Sequence, residues 1–155
     1  MTNNYINIYN NLVELTRNKN LYKNFIKQDE FSDRLLFFLL HFGFFLKNFK
    51  EKVDKKLIQD IYDSVFRNLE LSIREIGYGD QTINKKMKNY LNIFYDIIGN
   101  IDDWENFSIS QKKDILAKYI DVNADFEFLS KYFDKYRSNL INNTLNSYIK
   151  GVIKL

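Results

Sequence analysis

A glycine-rich turn holds the first residues of this sequence whose types and spacing could do chemistry. The run Gly77-Tyr78-Gly79-Asp80 separates two segments with helical hydrophobic spacing. Glycine-rich turns at helix starts can bind phosphate through their backbone amides. Here, however, Asp80 puts a carboxylate where the anion would lie, and the lysine–hydroxyl pair of a Walker motif is missing. The pattern favours a tight joint between two helices, with a partner-binding corner beside it as the alternative.

Two charged residues precede this turn. Arg74 and Glu75 fall in the expected last turn of a helix, where a cation interacts favourably with the helix dipole. Arg74 could form a buried ion pair with Asp80 across the turn, or it could contact a carboxylate of a partner protein. Both interpretations stay open at the level of sequence.

Three lysines follow the turn. Lys85 and Lys88 are three residues apart and share a helix face, whereas Lys86 points to one side. Such a face is commonly only solvated, but it could also bind anionic lipid headgroups or ribosomal RNA. The net charge of +3, from 23 basic and 20 acidic residues, is too small to indicate a DNA-binding protein.

The single histidine, His41, lies within the most apolar segment of the chain. A neutral, hydrogen-bonded core residue is the commoner role there, and contact with haem or a client protein is the alternative. With one His and no Cys we expect no metal site and no disulfide. No nucleophile accompanies the histidine, so we expect neither catalysis nor a cofactor.

The composition indicates how these residues are positioned. The chain has 155 residues, 45% of them hydrophobic, with no Pro and only five Gly. We therefore predict an all-α fold: one compact domain over residues 1–155 with about six to eight helices. The longest apolar run, 35–46, is shorter than the roughly 20 residues of a membrane span. Since the N-terminus also lacks a signal sequence, we expect a cytoplasmic protein, with peripheral contact at the inner membrane left open.

Capping residues and hydrophobic periodicity predict the bounds of three helices: a central one and the two on either side of the Gly77–Asp80 turn. Ser32 is expected to cap a helix reaching about Lys47, which is apolar nearly all round and therefore central. The next helix spans about 54–76, with an inward stripe that ends in Ile76. Gly77 should end that helix in a left-handed conformation, and Asp80 should cap the following helix, which continues to about residue 100.

The other helices have weaker signals. Segments of about 3–17 and 21–27 precede the central helix. Ser108 and Gln111 fit a capping box for a helix to about residue 120, and Asp125 should cap a final, kinked helix over about 126–149.

The stretch Ile73–Asp80 resembles the Arg-Glu-hydrophobic-Gly-x-Gly-Asp signature of the ubiquinol–cytochrome c chaperone family, and a lysine-bearing helix and the pair Phe94-Tyr95 follow it. Upstream, Arg17 and Tyr22 match the family's Arg…Tyr spacing. Further matches are Asp33-Arg34 and His41, which fit its Arg-…-Leu-x-His helix. The resemblance is strongest over residues 9–95. Tyr78 and Asp96-Ile97 depart from the family pattern, and beyond about residue 107 only the hydrophobic pattern matches.

This resemblance implies a non-catalytic helical chaperone, an assembly factor that binds newly made apo-cytochrome b during biogenesis of ubiquinol–cytochrome c reductase. A small co-chaperone protein and a ribosome contact are further implied partners. The alternative is a peripheral membrane- or ribosome-associated module that binds RNA or lipid. Surplus aromatic residues could also form an exposed groove for apolar client helices. The expected partner-binding residues are Arg74, Glu75, Gly77, Gly79, Asp80, Lys85, Lys86 and Lys88.

Overall fold

Helices account for all the regular secondary structure in residues 5–25 and 31–151, which are the residues that the computed structural model describes. These ranges contain seven α-helices, two short 3-10 helices and no strand, so the prediction of an all-α fold is confirmed. The α-helices are α1 (Ile6–Thr16), α2 (Phe31–Phe49), α3 (Lys55–Ile76), α4 (Asp80–Ile101), α5 (Ile109–Ala117), α6 (Phe126–Ile141) and α7 (Leu145–Lys150). The 3-10 helices are Lys19–Tyr22 and Trp104–Asn106.

Helix α2 contributes many of the core side chains, because a helix that is apolar on every side must be surrounded by other elements. Twelve of its 19 residues are buried, and it packs against α1, α4 and α6. Gly43 lies at the contact with α4: a Cβ atom there would come 3.0 Å from Cγ2 of Ile97 and 3.3 Å from Cδ1 of Ile101. The absence of a side chain at Gly43 therefore lets the two helices approach closely.

The predicted start of α2 was wrong by two residues, because an N-cap at Ser32 would make Asp33 the first helical residue. The helix begins at Phe31, so Ser32 lies inside its first turn and is not the N-cap. Phe31 is one helical turn before Leu35, and both side chains line the same apolar cleft. Starting the helix at Phe31 keeps these two residues on one face. The predicted segment 21–27 extends beyond the described residues; its described part, residues 21–25, includes the last two residues of the 3-10 helix Lys19–Tyr22.

Side-chain caps set the ends of the later helices. Ser108 and Gln111 form the predicted capping box of α5, and the carboxylate of Asp125 accepts a hydrogen bond from the amide of Phe128 at the start of α6. The predicted final helix is two helices. Thr144 accepts from the amide of Ser147 and starts α7 after a break at residues 142–144.

The length and apolarity of the helices bear on membrane insertion. Within residues 5–25 and 31–151, no helix is both long enough and apolar enough to cross a bilayer.

Candidate functional site

The predicted glycine-rich turn joins α3 to α4. Gly77 has φ = +106°, and its amide donates to the carbonyl of Arg74 over 3.0 Å. This left-handed conformation favours glycine and ends α3 as predicted. Gly79 has φ = −74° and is the residue before the first turn of α4. Only the first of the two glycines is therefore required by its backbone conformation.

Arg74 and Asp80 pair across this turn. Nη1 of Arg74 donates to Oδ1 of Asp80 over 2.6 Å, and Nε lies 3.4 Å from a carboxylate oxygen of Glu70. The hydrogen bond from Arg74 to Asp80 is the main reason that the pKa of the guanidinium is raised above its ordinary value. The pairing considered for Arg74 and Asp80 is present, but its expected burial was wrong, since 82% of the Asp80 side chain is accessible.

The prediction that Asp80 caps α4 was wrong. Gly79 occupies the cap position, and no side chain there accepts from the helix amides. Asp80 is already the first helical residue, and Arg74 holds its carboxylate. Its negative charge still lies in the first turn of α4, where the helix dipole favours it.

Lys86 stabilises the corner through an aromatic contact. Its Nζ lies 4.7 Å from the centre of the Tyr78 ring, a cation–π geometry. Lys86 is half-buried, and Tyr78 is 40% exposed. Of the three lysines expected to bind a partner, Lys86 is therefore the one that contacts a side chain of the same chain.

Lys85 and Lys88 lie on a solvent-facing surface, which we call the α4 outer face. This face follows helical spacing and consists of Gln81, Lys85, Lys88, Asn92 and Tyr95, all exposed. Neither lysine forms an ion pair with a residue of the described ranges. Tyr95 is 59% exposed, and its hydroxyl lies 2.9 Å from that of Tyr62 on α3.

Exposed apolar side chains lie near the end of α3. Ile76 was predicted to end the buried stripe of this helix, but it is 53% exposed, and Leu71 is 50% exposed. The prediction for Ile76 was wrong because α3 extends beyond the core at its C-terminal turn, so the helical spacing continues where there is nothing to pack against. Glu75, also in this turn, is exposed as well.

His41 is not part of this corner and contacts α6 instead. It is fully buried, as the core interpretation predicted. Its Nδ1 lies 2.6 Å from the carbonyl of Phe37, which can only accept, so Nδ1 carries the proton. Nε2 then accepts from the hydroxyl of Tyr132 over 2.6 Å. Burial lowers the pKa of His41 to about 4, so the ring is neutral at neutral pH.

Sequence reasoning missed Tyr132. The two hydrogen-bonded residues are 91 positions apart, and no local pattern links them. The His41 ring also lies at 4.8–5.4 Å, centre to centre, from the rings of Tyr132, Phe133 and Tyr136. Haem or client contact by His41 stays a prediction; it would have to break two short hydrogen bonds inside the core.

Most of the aromatic surplus lies in the core. Ten of the 14 phenylalanines are buried, and among the described phenylalanines Phe31, at 37%, is the most exposed. Phe31 lines an open apolar cleft of about 180 Å³ between α1, α2 and α3, together with Val13, Leu35 and Leu69. This cleft is large enough for one apolar side chain and much smaller than a groove for a whole helix.

Comparisons with known proteins extend over nearly all of these elements. The sequence profile of the ubiquinol-cytochrome C chaperone family matches residues 23–151. The chain belongs to the ubiquinol-cytochrome C chaperone family. The match includes His41 and all of α4 with its three lysines. It also includes nearly all of the last third of the chain, where only the hydrophobic pattern resembled the family.

A solved structure shares the fold of this chaperone-family chain. It is the crystal structure of the Cbp3 homolog from Brucella abortus, with a TM-score of 0.72 and 24% sequence identity over 97% of this chain and 87% of that chain. No protein with a curated description matches the chain. Membership in a family of chaperones agrees with the expectation of a non-catalytic role.

Proposed function

We propose that this chain is a chaperone that binds newly made cytochrome b while ubiquinol–cytochrome c reductase is assembled. The observation that carries this proposal is the family match over residues 23–151. The arrangement of the candidate site supports a binding role, because its charged and apolar side chains are exposed on the joined helices α3 and α4.

The α4 outer face is the proposed contact surface. Lys85 and Lys88 have no ion-pair partner among the described residues and are free to contact acidic or carbonyl groups of a client. Tyr95 adds an exposed aromatic ring at the other end of the same face. Tyrosine combines apolar area with a hydroxyl and is enriched in protein interfaces. An incompletely assembled membrane protein exposes both polar loops and apolar segments, so this mixture suits it.

The remaining site residues are proposed to shape or flank that surface. Gly77 and the Arg74–Asp80 pair fix how α4 leaves α3, and Lys86 supports Tyr78. Glu75 and the exposed Ile76 lie next to the corner, where a partner could reach them. Gly79 leaves open space beside the turn, since a Cβ atom there would meet no atom within 4 Å.

His41 is proposed to act indirectly. Its hydrogen bond to Tyr132 joins α2 to α6, and α2 in turn packs against α4. We expect replacement of His41 to affect client binding through the stability of this packing. We further propose that the chain works at the cytoplasmic side of the inner membrane, with a small co-chaperone.

A second candidate function is binding of lipid headgroups or ribosomal RNA. The observation that favours it is the pair of unpartnered lysines on one helix face. Each cation close to an anionic membrane contributes about 1 kcal/mol, so two give only weak binding. The affinity of purely electrostatic binding would fall steeply as the salt concentration rises. The affinity for a client that also packs against Tyr95 would retain an apolar contribution at high salt.

Site-directed photo-crosslinking tests the proposed contact surface. A photoreactive amino acid is placed at Lys88, on the α4 outer face, and in a matched control at Lys55, an exposed lysine at the start of α3. During synthesis of the respiratory chain, position 88 should crosslink to cytochrome b and position 55 should not. Equal crosslinking from both positions, or crosslinking of RNA or lipid alone at position 88, would contradict the proposal.

A further inference from the structure

A second cleft lies at the ends of α2 and α6. It has a volume of about 310 Å³, within the lower range of small-ligand pockets. The lining comes from the last two turns of α2, the residues after it, and the last turn of α6. These residues are Phe44, Lys47, Asn48, Lys52, Arg137 and Ile141.

Positive charge exceeds negative charge around this cleft. Lys47 pairs closely with Glu105, with Nζ at 2.8 Å and 3.2 Å from its two carboxylate oxygens. Arg137 lies further from the same carboxylate, at 3.8 Å. Nζ of Lys52 donates to the neutral amide oxygen of Asn48 over 3.2 Å, lies 5.9 Å from the centre of the Phe49 ring, and forms no ion pair with a described carboxylate. Three cations and one carboxylate leave a surplus of two positive charges.

Two acidic residues near Arg137 and Lys47, Asp134 and Asp102, do not remove this surplus. Asp134, one turn before Arg137 on α6, is held by Lys112 at 2.9 Å and by Nε1 of Trp104 at 2.8 Å. Asp102 pairs with Lys50 over 3.1 Å. Both acidic groups therefore have cationic partners of their own.

Arg137 has unused donors. Its contact with Glu105 is an ion pair too long for a hydrogen bond, and it makes no hydrogen bond with any residue in 5–25 or 31–151. The side chain is nevertheless two-thirds buried, with 33% exposed, and lines the cleft. A guanidinium presents a planar fork of N–H groups that fits phosphate oxygens with two parallel hydrogen bonds.

We propose that this cleft binds a phosphate group carrying about two negative charges. A phosphomonoester has a charge of about −1.5 to −2 near neutral pH, which matches the surplus of two, whereas a carboxylate would neutralise half of it. Arg137 is the proposed bidentate donor, with the exposed Lys52 as the second cation. Phe44 forms an apolar floor, and Ile141, 47% exposed, lies at the rim beside any organic group attached to the phosphate.

Two sources could supply this chemistry: a soluble phosphate compound or the headgroup of an anionic lipid such as phosphatidic acid. The test uses the full chain and two probes at constant ionic strength. Calorimetric titration measures binding of inorganic phosphate, with chloride as the reference anion. Flotation measures binding to phosphatidylcholine vesicles with and without phosphatidic acid.

The variant Arg137→Gln removes the guanidinium group that is proposed to bind phosphate. The matched control, Arg67→Gln, removes an exposed arginine of α3. Loss of a charge-assisted bidentate contact should weaken binding about 10- to 100-fold in Arg137→Gln and leave Arg67→Gln unchanged. Lys52→Gln provides a second test should Arg137→Gln fail to fold.

Phosphate binding that depends on Arg137 would identify a soluble phosphate ligand. Binding that depends on Arg137 only with phosphatidic acid vesicles would identify a lipid headgroup. If the Arg137 and Lys52 variants bind both probes as well as Arg67→Gln does, the proposed site is wrong. This result would leave the chaperone proposal intact, because that proposal uses the α4 outer face.

Discussion

Arg74 donates a hydrogen bond to Asp80 over 2.6 Å and so links the last turn of α3 to the first turn of α4. Between them, Gly77 reverses the chain in a left-handed conformation, and Tyr78 lies under Lys86. This short segment therefore joins α3 to α4, and packing of α4 against α2 also positions the α4 outer face.

The first prediction compares the two glycines of the corner. Gly77→Ala should lower the free energy of unfolding by about 1–2 kcal/mol, because alanine is strained at φ = +106°. No atom lies within 4 Å of a Cβ at either glycine, so packing contributes nothing to the difference. In Gly79→Ala, alanine is a poorer N-cap than glycine, which lowers stability, but it also makes the unfolded chain less flexible, which raises stability. The free energy of unfolding should therefore change by no more than about 0.5 kcal/mol. Urea unfolding measures both; equal effects would contradict the assigned backbone role.

The second prediction concerns the hydroxyl of Tyr132. Tyr132→Phe leaves Nε2 of His41 as a buried acceptor without a donor, which should cost about 1–3 kcal/mol. The control is Tyr95→Phe, which removes a hydroxyl from an exposed tyrosine pair and should cost less than about 0.5 kcal/mol. Thermal unfolding of the two variants distinguishes them. A Tyr132→Phe variant as stable as Tyr95→Phe would mean that His41 has another hydrogen-bond partner.

The third prediction is a pH dependence due to His41, the single histidine of the chain. Its pKa is about 4 when folded and 6.5 in the unfolded reference, so the unfolded chain binds the extra proton. The contribution of His41 to stability is therefore complete above pH 6.5 and is lost as pH falls towards 4. The total loss is on the order of 3 kcal/mol.

The variant His41→Gln isolates this effect. It should be less stable than the natural chain at pH 7, but its free energy of unfolding should change less between pH 6.5 and 5. Unfolding of the natural chain should take up about half a proton more than unfolding of the variant at pH 6.5 and about one proton more at pH 5. Parallel pH profiles for the two proteins would show that His41 is protonated or exposed in the folded state.

The fourth prediction tests the α4 outer face in cells. Lys85→Gln combined with Lys88→Gln should lower the amount of assembled ubiquinol–cytochrome c reductase, because both cations are exposed and not paired with described residues. The control, Lys19→Gln with Lys55→Gln, removes the same charge from exposed lysines elsewhere. Both double variants should fold normally, since exposed substitutions change stability little. Equal assembly with the two double variants would exclude a specific role for this face.

The sequence predicted the elements whose signals are local. Gly77 could be identified as a helix end because the left-handed position needs glycine, and Ser108 with Gln111 could be identified as a capping box from their spacing. The inward residues of α4, such as Ile83 and Phe94, followed from helical periodicity. These features depend on residues no more than a few turns apart.

Features that depend on distant parts of the chain could not be predicted in this way. Asp80 has the side chain of a cap, but Arg74 holds its carboxylate, and the competition is visible only in three dimensions. Ile76 continues the apolar spacing of α3 beyond the point where the core ends. The cation cluster around Glu105 joins residues from α2, a 3-10 helix and α6, and no local sequence pattern connects them.

Depletion of this protein from cells tests the central claim of a cytochrome b chaperone most directly. The measurement is the reduced-minus-oxidised haem b spectrum of the membranes, together with cytochrome b immunoblotting. We predict selective loss of cytochrome b while other respiratory complexes are retained, and recovery when the natural chain is supplied again. Unchanged cytochrome b in depleted cells would contradict the claim and would favour a function in lipid or RNA binding.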